Sequence, residues 1–333
     1  MRASFFKFAL AMPLSEASFP RRGFHWTDAA ARTHLEFIGG SFLRGYNLAL
    51  EDRNDEVLTN GLEQIEQEFR GFAYEGAAMA LALLDRLTPW KRTRLQLFID
   101  GPASSHIYMA YVGAGWSLAR IPLRRKSLLV KPHPLLRWLE FDGFGFHEGF
   151  FYWRKYIRDL CPPRKLKGYA ARVFDQGLGR SLWFVEGADV ERIAATIERF
   201  PATRRADLWS GVGLACAYAG GASRAGVEEL QRLACCYKQQ LAQGVAFAAK
   251  TRLRAGNLTS NTETVSKVLC GLSAAGAASI TDAMLAGLSD TESLPAYEVW
   301  RQRIQNAFAQ EVRIPRTAVG GSFKLRPLSA WNE

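Results

Sequence analysis

Residues 74–85 read YEGAAMALALLD and residues 209–221 read WSGVGLACAYAGG. Each is a run of small and aliphatic residues led by an aromatic ring, with glycine inside what the spacing predicts to be a helix. Glycine in a helix interior costs about 1 kcal/mol against alanine. Its repeated use at three- and four-residue spacing therefore predicts helices that pack very closely, as in helical repeat proteins. Membrane helix pairs use the same spacing, but these segments fall short of the roughly 18 uncharged apolar residues that a span requires. The two stretches also align with each other. A shift of 135 residues places Leu43 on Leu178, Glu51 on Glu186, Glu63 on Glu198, Arg70 on Arg205, Gly76 on Gly211 and Ala80 on Ala215.

The flanking sequence follows the same plan. DEVLTNGLEQIEQEF (55–69) sets Leu58, Leu62, Ile65 and Phe69 at helical spacing. ADVERIAATIERFP (188–201) does so with Val190, Ile193, Ile197 and Phe200, and Pro201 stops it. Further on, YVGAGWSLARIP (111–122) pairs with LAQGVAFAAKTR (241–252). A Gly-Phe-His triplet occurs at Gly23 and again at Gly145, and it reads as a mark of the same duplication. Alternating β-branched runs are scarce.

The expected fold is all-α: two tandem pseudo-repeats of close-packed helices, helical-repeat or solenoid-like, followed by a C-terminal helical segment. The expected divisions are an amphipathic lead-in (1–18), a first half (19–125), a basic, proline-containing linker laid over the surface (126–138), a second half (139–256), C-terminal helices (257–310) and an extended, exposed tail (311–333). The second half carries an insertion at RDLCPPRKLKG (158–168). In the C-terminal part, Tyr297, Trp300, Ile304 and Phe308 share one helical face.

Of 333 residues, 48% are hydrophobic and 23% charged, as expected of a folded soluble chain, and the net charge of +11 favours anionic partners. The five cysteines are odd in number and lack CxxC spacing. They predict neither a zinc ligand set nor a disulfide framework, and a reducing, cytoplasmic setting.

No classical motif declares a reaction. Gly143, Gly145 and Gly149, and Gly177 and Gly179, lack the spacing and strand context of nucleotide-binding loops. They read as turn glycines or as places where backbone meets a ligand. Glu51 and Glu186 each end an apolar run, where a carboxylate is costly unless paired. They are candidates for a pseudo-symmetric acid/base pair, or for helix caps or partners of an arginine such as Arg44 or Arg180. His147, with Glu148 and Asp142, is a further acid/base candidate, with His25 as its duplicate. Either histidine could instead brace its half through the backbone. Glu75 faces Ser210 in the other copy, and that asymmetry makes it a candidate for the working half. The aromatic run around residues 141–153, with Phe144, Phe146, Phe150 and Trp153, joins His25 and Trp183 as candidate lining for a long flat or conjugated molecule, or else as plain core. EDRNDE (51–56) faintly resembles an aspartate-rich magnesium motif, but the paired aspartates and a second motif are missing. No metal and no cofactor is therefore expected. The basic clusters at Arg124 and Arg164 lack a nucleic-acid-binding motif.

PLSEASFPRRGF (13–24), FLRGYNLALE (42–51), FRGFAYEGAAMALALLD (69–85), FIDGPASSHIYMAYVGAGWSLAR (98–120), LLRWLEFDGFGFHEGFFYWRKY (135–156) and FDQGLGRSLWFVEGADVERI (174–193) together resemble the bacterial family catalogued as domain-of-unknown-function 1702. The resemblance covers nearly the whole chain. It implies a role in secondary metabolism beside the iterative polyketide synthases of enediyne and related polyene products, and it carries no settled catalytic residues. The expectation is an accessory protein that converts a long apolar polyene or polyketide intermediate by acid/base chemistry in an aromatic-lined cavity. The alternative is a non-catalytic repeat protein that binds an intermediate, an acidic carrier protein or partner enzymes, and a minor one is a metal-dependent isoprenoid enzyme. No nucleic acid and at most a peripheral membrane contact are expected.

Overall fold

The computed structural model describes residues 8–51, 55–88, 93–120, 133–164, 166–289 and 293–310. Every regular element among them is helical. Ten helices define the architecture: α1 (Ala29–Ala49), α2 (Arg70–Leu87), α3 (Ile107–Arg120), α4 (Leu139–Phe151), α5 (Tyr169–Val185), α6 (Ala202–Ala219), α7 (Lys238–Arg254), α8 (Ser260–Cys270), α9 (Ala274–Ala283) and α10 (Ala296–Ala309). Shorter helices, Asp55–Glu63, Arg94–Asp100, Val190–Glu198 and Arg224–Leu233, lie between several of them.

Each of α1 to α6 packs on the next, and α8, α9 and α10 pack against α7. The small residues set this spacing. A methyl placed on Gly177 of α5 would overlap the carbonyl oxygen of Asp142 in α4, and one on Gly113 of α3 would overlap that of Glu75 in α2. Gly177, which the sequence left as a turn glycine or a ligand approach, does not turn the chain, and Gly113 behaves as the small-residue spacing of its helix implied. They are helix-interior positions that admit a neighbouring backbone. The row also curls back on itself: the His34 Nε2 of α1 lies 2.6 Å from the Ala219 carbonyl of α6.

Polar side chains set the helix starts. Asp28, Asp189, Ser223, Thr259 and Ser273 each accept a backbone N–H at an N-terminus. The helix expected across 55–69 stops at Glu63; Ile65 lies in the following turn and Phe69 precedes α2. The Gly-Phe-His copies do not occupy equivalent places. Gly23 ends a one-turn helix in the left-handed region and His25 sits in a loop, whereas Gly145 to His147 lie inside α4. The stretch assigned to a surface linker is buried at Leu135 and Leu136. Residues 126–132 of that linker, residues 52–54 of EDRNDE, Arg124 and the tail 311–333 lie outside the described residues. The lead-in packs on the body through buried Met12 and Ala17. On α10, Tyr297, Trp300 and Ile304 are buried and Phe308 half-buried. No single helix among the described residues is long and apolar enough to cross a membrane.

Candidate functional site

Helices α1 to α6 enclose a chamber of about 610 Å³, counting its open mouth. Its wall includes the rings of Phe42, Phe72, Trp116, Phe146, Phe150, Phe151, Phe184 and Tyr218, and Glu16 and Ala17 of the N-terminal segment also line it. The rings are set against one another. Phe42 stacks on Trp116 with centroids 4.3 Å apart, Trp116 meets Phe146 at 5.0 Å, and Phe146 stacks on Phe150 at 6.0 Å.

Two ionisable side chains at the inner end interrupt this apolar lining. Glu75 of α2 is 2% exposed, and burial pushes its carboxyl up to about 7 against the opposing pull of Arg180. Its Oε1 accepts the indole N–H of Trp116 at 3.0 Å and lies 3.9 Å from the Arg180 guanidinium. Among the described residues no hydrogen bond reaches Oε2. Arg180 is held by the Asp142 carboxylate, whose other oxygen accepts from the Gln176 amide at 2.7 Å. The guanidinium also sits over the Phe146 ring, 5.0 Å from its centroid. A carboxyl at about 7 holds both protonation states near neutral pH, as a general acid or base requires.

The remaining candidates fall elsewhere. Glu186 closes α5 and accepts from Arg192 at 3.0 Å and Thr196 at 2.9 Å, so it is tied to the next helix and does not line the chamber. Glu51 follows the end of α1, half-buried, and is also outside the lining. The two carboxylates therefore do not meet across the chamber. His147 is buried behind Trp116, edge-on at 5.6 Å, with Nδ1 3.2 Å from Glu148. Burial lowers its pKa, which favours the neutral ring. Asp142 turns away from it toward Arg180. His25 fastens the N-terminal loop to α5, its amide donating to the Val185 carbonyl and its ring 3.6 Å from Asp189. Trp153 donates to the Arg22 carbonyl and Trp183 to that of Gly220, both as braces. Phe144 packs on Phe174, while Phe146 and Phe150 line the chamber.

Glu75 thus gains partners that the sequence did not assign to it: Trp116, Arg180, and through Arg180 the Asp142–Gln176 pair. Arg180 and Asp142 were visible as charges inside apolar helical runs, a signal that buried charges are paired, but nothing in the spacing paired them. Among the described residues no group of three or more His, Cys, Asp or Glu is placed to hold a metal ion.

The sequence profile of a family described as protein of unknown function (DUF1702) matches residues 3–308. The chain belongs to that family. No curated protein and no solved structure matches it.

Proposed function

We propose that this DUF1702 protein takes a long apolar, unsaturated molecule into the aromatic chamber and moves a proton on it with Glu75. The observation that carries this reading is a single carboxyl, about 7 in pKa, at the inner end of a wall built from aromatic rings. Protonated Glu75 gives its proton from Oε2 to one carbon of a double bond, and the resulting carboxylate takes a proton from another carbon. The product is an isomer of the same formula, and Glu75 returns to its starting state. Positive charge on the intermediate is stabilised by the rings of Phe42 and Trp116. The expected setting is secondary metabolism, with a synthase-derived polyene of the enediyne-associated kind as substrate.

We further infer that α1–α2–α3 and α5–α6–α7 are tandem pseudo-repeats. Matching contacts support it: Gly76 rests on the Phe42 carbonyl as Gly211 does on that of Gln176, and Gly45 on that of Ala73 as Gly179 on that of Leu208.

Mass spectrometry of organic extracts tests the function, comparing the native producer, a strain lacking the gene, and that strain complemented with wild type or Glu75→Gln. The deletion strain should lose a product and accumulate an isomeric precursor, which the folded Glu75→Gln chain fails to convert. Full restoration by Glu75→Gln would leave a binding protein without proton chemistry, and unchanged extracts on deletion would remove the biosynthetic role itself.

A further inference from the structure

A second cavity of about 540 Å³ lies on the other side of the chamber's inner wall. Tyr108, Val112, Phe247, Tyr297 and Trp300 line it, from α3, α7 and α10, and its wall is as apolar in kind as the first. Three residues line both spaces: Arg180, Leu214 and Tyr218. Two of the three are anchored. Arg180 is held by Asp142. Tyr218 is wedged against Gly71 and lies under the Arg252 guanidinium, 4.1 Å from its ring centroid. Leu214 is different. It sits in the middle of α6 between buried Gly213 and Ala215, yet its side chain keeps accessible surface. An interior leucine with free surface borders open space, and here there is space on both of its sides. Close-packed interiors rarely leave a leucine so placed.

We propose that the two cavities are the two ends of one binding site for an elongated apolar chain, and that Leu214 is the door between them. A bound chain threads past Leu214 with its middle beside Glu75 and Arg180 and its far end among Phe247, Tyr297 and Trp300. This rests on the reading of the first chamber as an apolar binding site and extends it to a ligand too long for that chamber alone. It also explains why the ionisable residues stand at the inner end: that end is the midpoint of the joined site. The Tyr218 hydroxyl at this waist is buried and has no hydrogen-bond partner.

The test titrates the full-length protein with two brominated alkanes, one of ten carbons and one of twenty, and follows quenching of tryptophan fluorescence. Trp116 reports the first chamber and Trp300 the second. The wild type should bind the longer chain at least about tenfold more tightly. Replacing Leu214 by Trp should lower the ratio of long-chain to short-chain affinity about tenfold. Thr251→Trp, which fills the second cavity from α7 without touching the door, should lower the same ratio and serves if Leu214→Trp fails to fold. Quenching by the long chain should also fall in Trp300→Phe, and quenching by the short chain in Trp116→Phe. An unchanged ratio in both filling variants, or no loss of long-chain quenching in Trp300→Phe, overturns the joined site while leaving the first chamber intact. If neither alkane binds, the first chamber is not an apolar binding site, and both readings fall together.

Discussion

Glu140 shows what an interior carboxyl costs when little answers it. It is 1% exposed in α4, its Oε1 has no hydrogen-bond partner, and burial pushes it up to about 8 even with Arg86 nearby pulling the other way. In the unfolded chain the same group sits at 4.5. Between pH 4.5 and 8 the unfolded chain has released a proton that the folded one keeps, so stability falls as pH rises through this window and levels off above it. Glu140→Gln removes that dependence. Relative to wild type it should gain on the order of 4 kcal/mol between pH 4.5 and 8.5 in urea titrations, because Glu75, Asp175 and the buried histidines titrate alike in both proteins. A difference that stays flat with pH would mean that Glu140 is ionised in the fold. At this scale the sequence was half legible. Glu75 stood out because its counterpart is Ser210, but Glu186 and Arg180 were open to mispairing. Arg192, six residues beyond Glu186, is brought to it by the turn between helices, and Arg180 is drawn inward by Asp142, 38 residues away.

At the scale of elements, the small residues were legible as a sign of close helices, but which glycine meets which backbone was not. Gly143 and Gly177 looked like loop glycines because nothing in a single sequence distinguishes a glycine that turns the chain from one that clears room for a neighbouring carbonyl. The structure makes the distinction testable. Gly177→Ala drives a methyl into the Asp142 carbonyl, backbone that cannot rotate away, and should lose roughly 3 kcal/mol or more. Gly40→Ala, also inside a helix but with nothing within 4 Å of the added carbon, should instead gain about 0.5–1 kcal/mol from helix propensity. Thermal or urea unfolding of the two variants reads both signs. Equal effects would mean that helix α5 shifts to make room, and that the glycines do not fix the helix spacing.

At the scale of the whole molecule, closure of the row around the chamber rests on contacts between residues nearly 200 apart. The His34 hydrogen bond to Ala219 and the Asn257 amide donating to the Gln67 carbonyl are examples. Periodicity is local and cannot show them. The N-terminal segment is part of the same closure. Asn47 of α1 holds it with both ends of its amide, accepting from the Met12 N–H at 3.1 Å and donating to the Met12 carbonyl at 2.8 Å. Five residues further on, Ala17 lies against Gly39 at the chamber wall. Asn47→Ala loses two hydrogen bonds of about 1 kcal/mol each and should raise the population in which the segment has lifted about tenfold or more. Trypsin reads this population directly, because Arg21 and Arg22 lie within the segment and opening precedes cleavage. Mass-mapped cleavage after these two arginines should accelerate by the same factor in Asn47→Ala, while sites elsewhere keep their rates. Acceleration everywhere would mean global destabilisation. No acceleration would mean that Phe19, the Glu16 pairs with Arg21 and Arg22, and the Trp153 bond to Arg22 already hold the segment against the chamber wall.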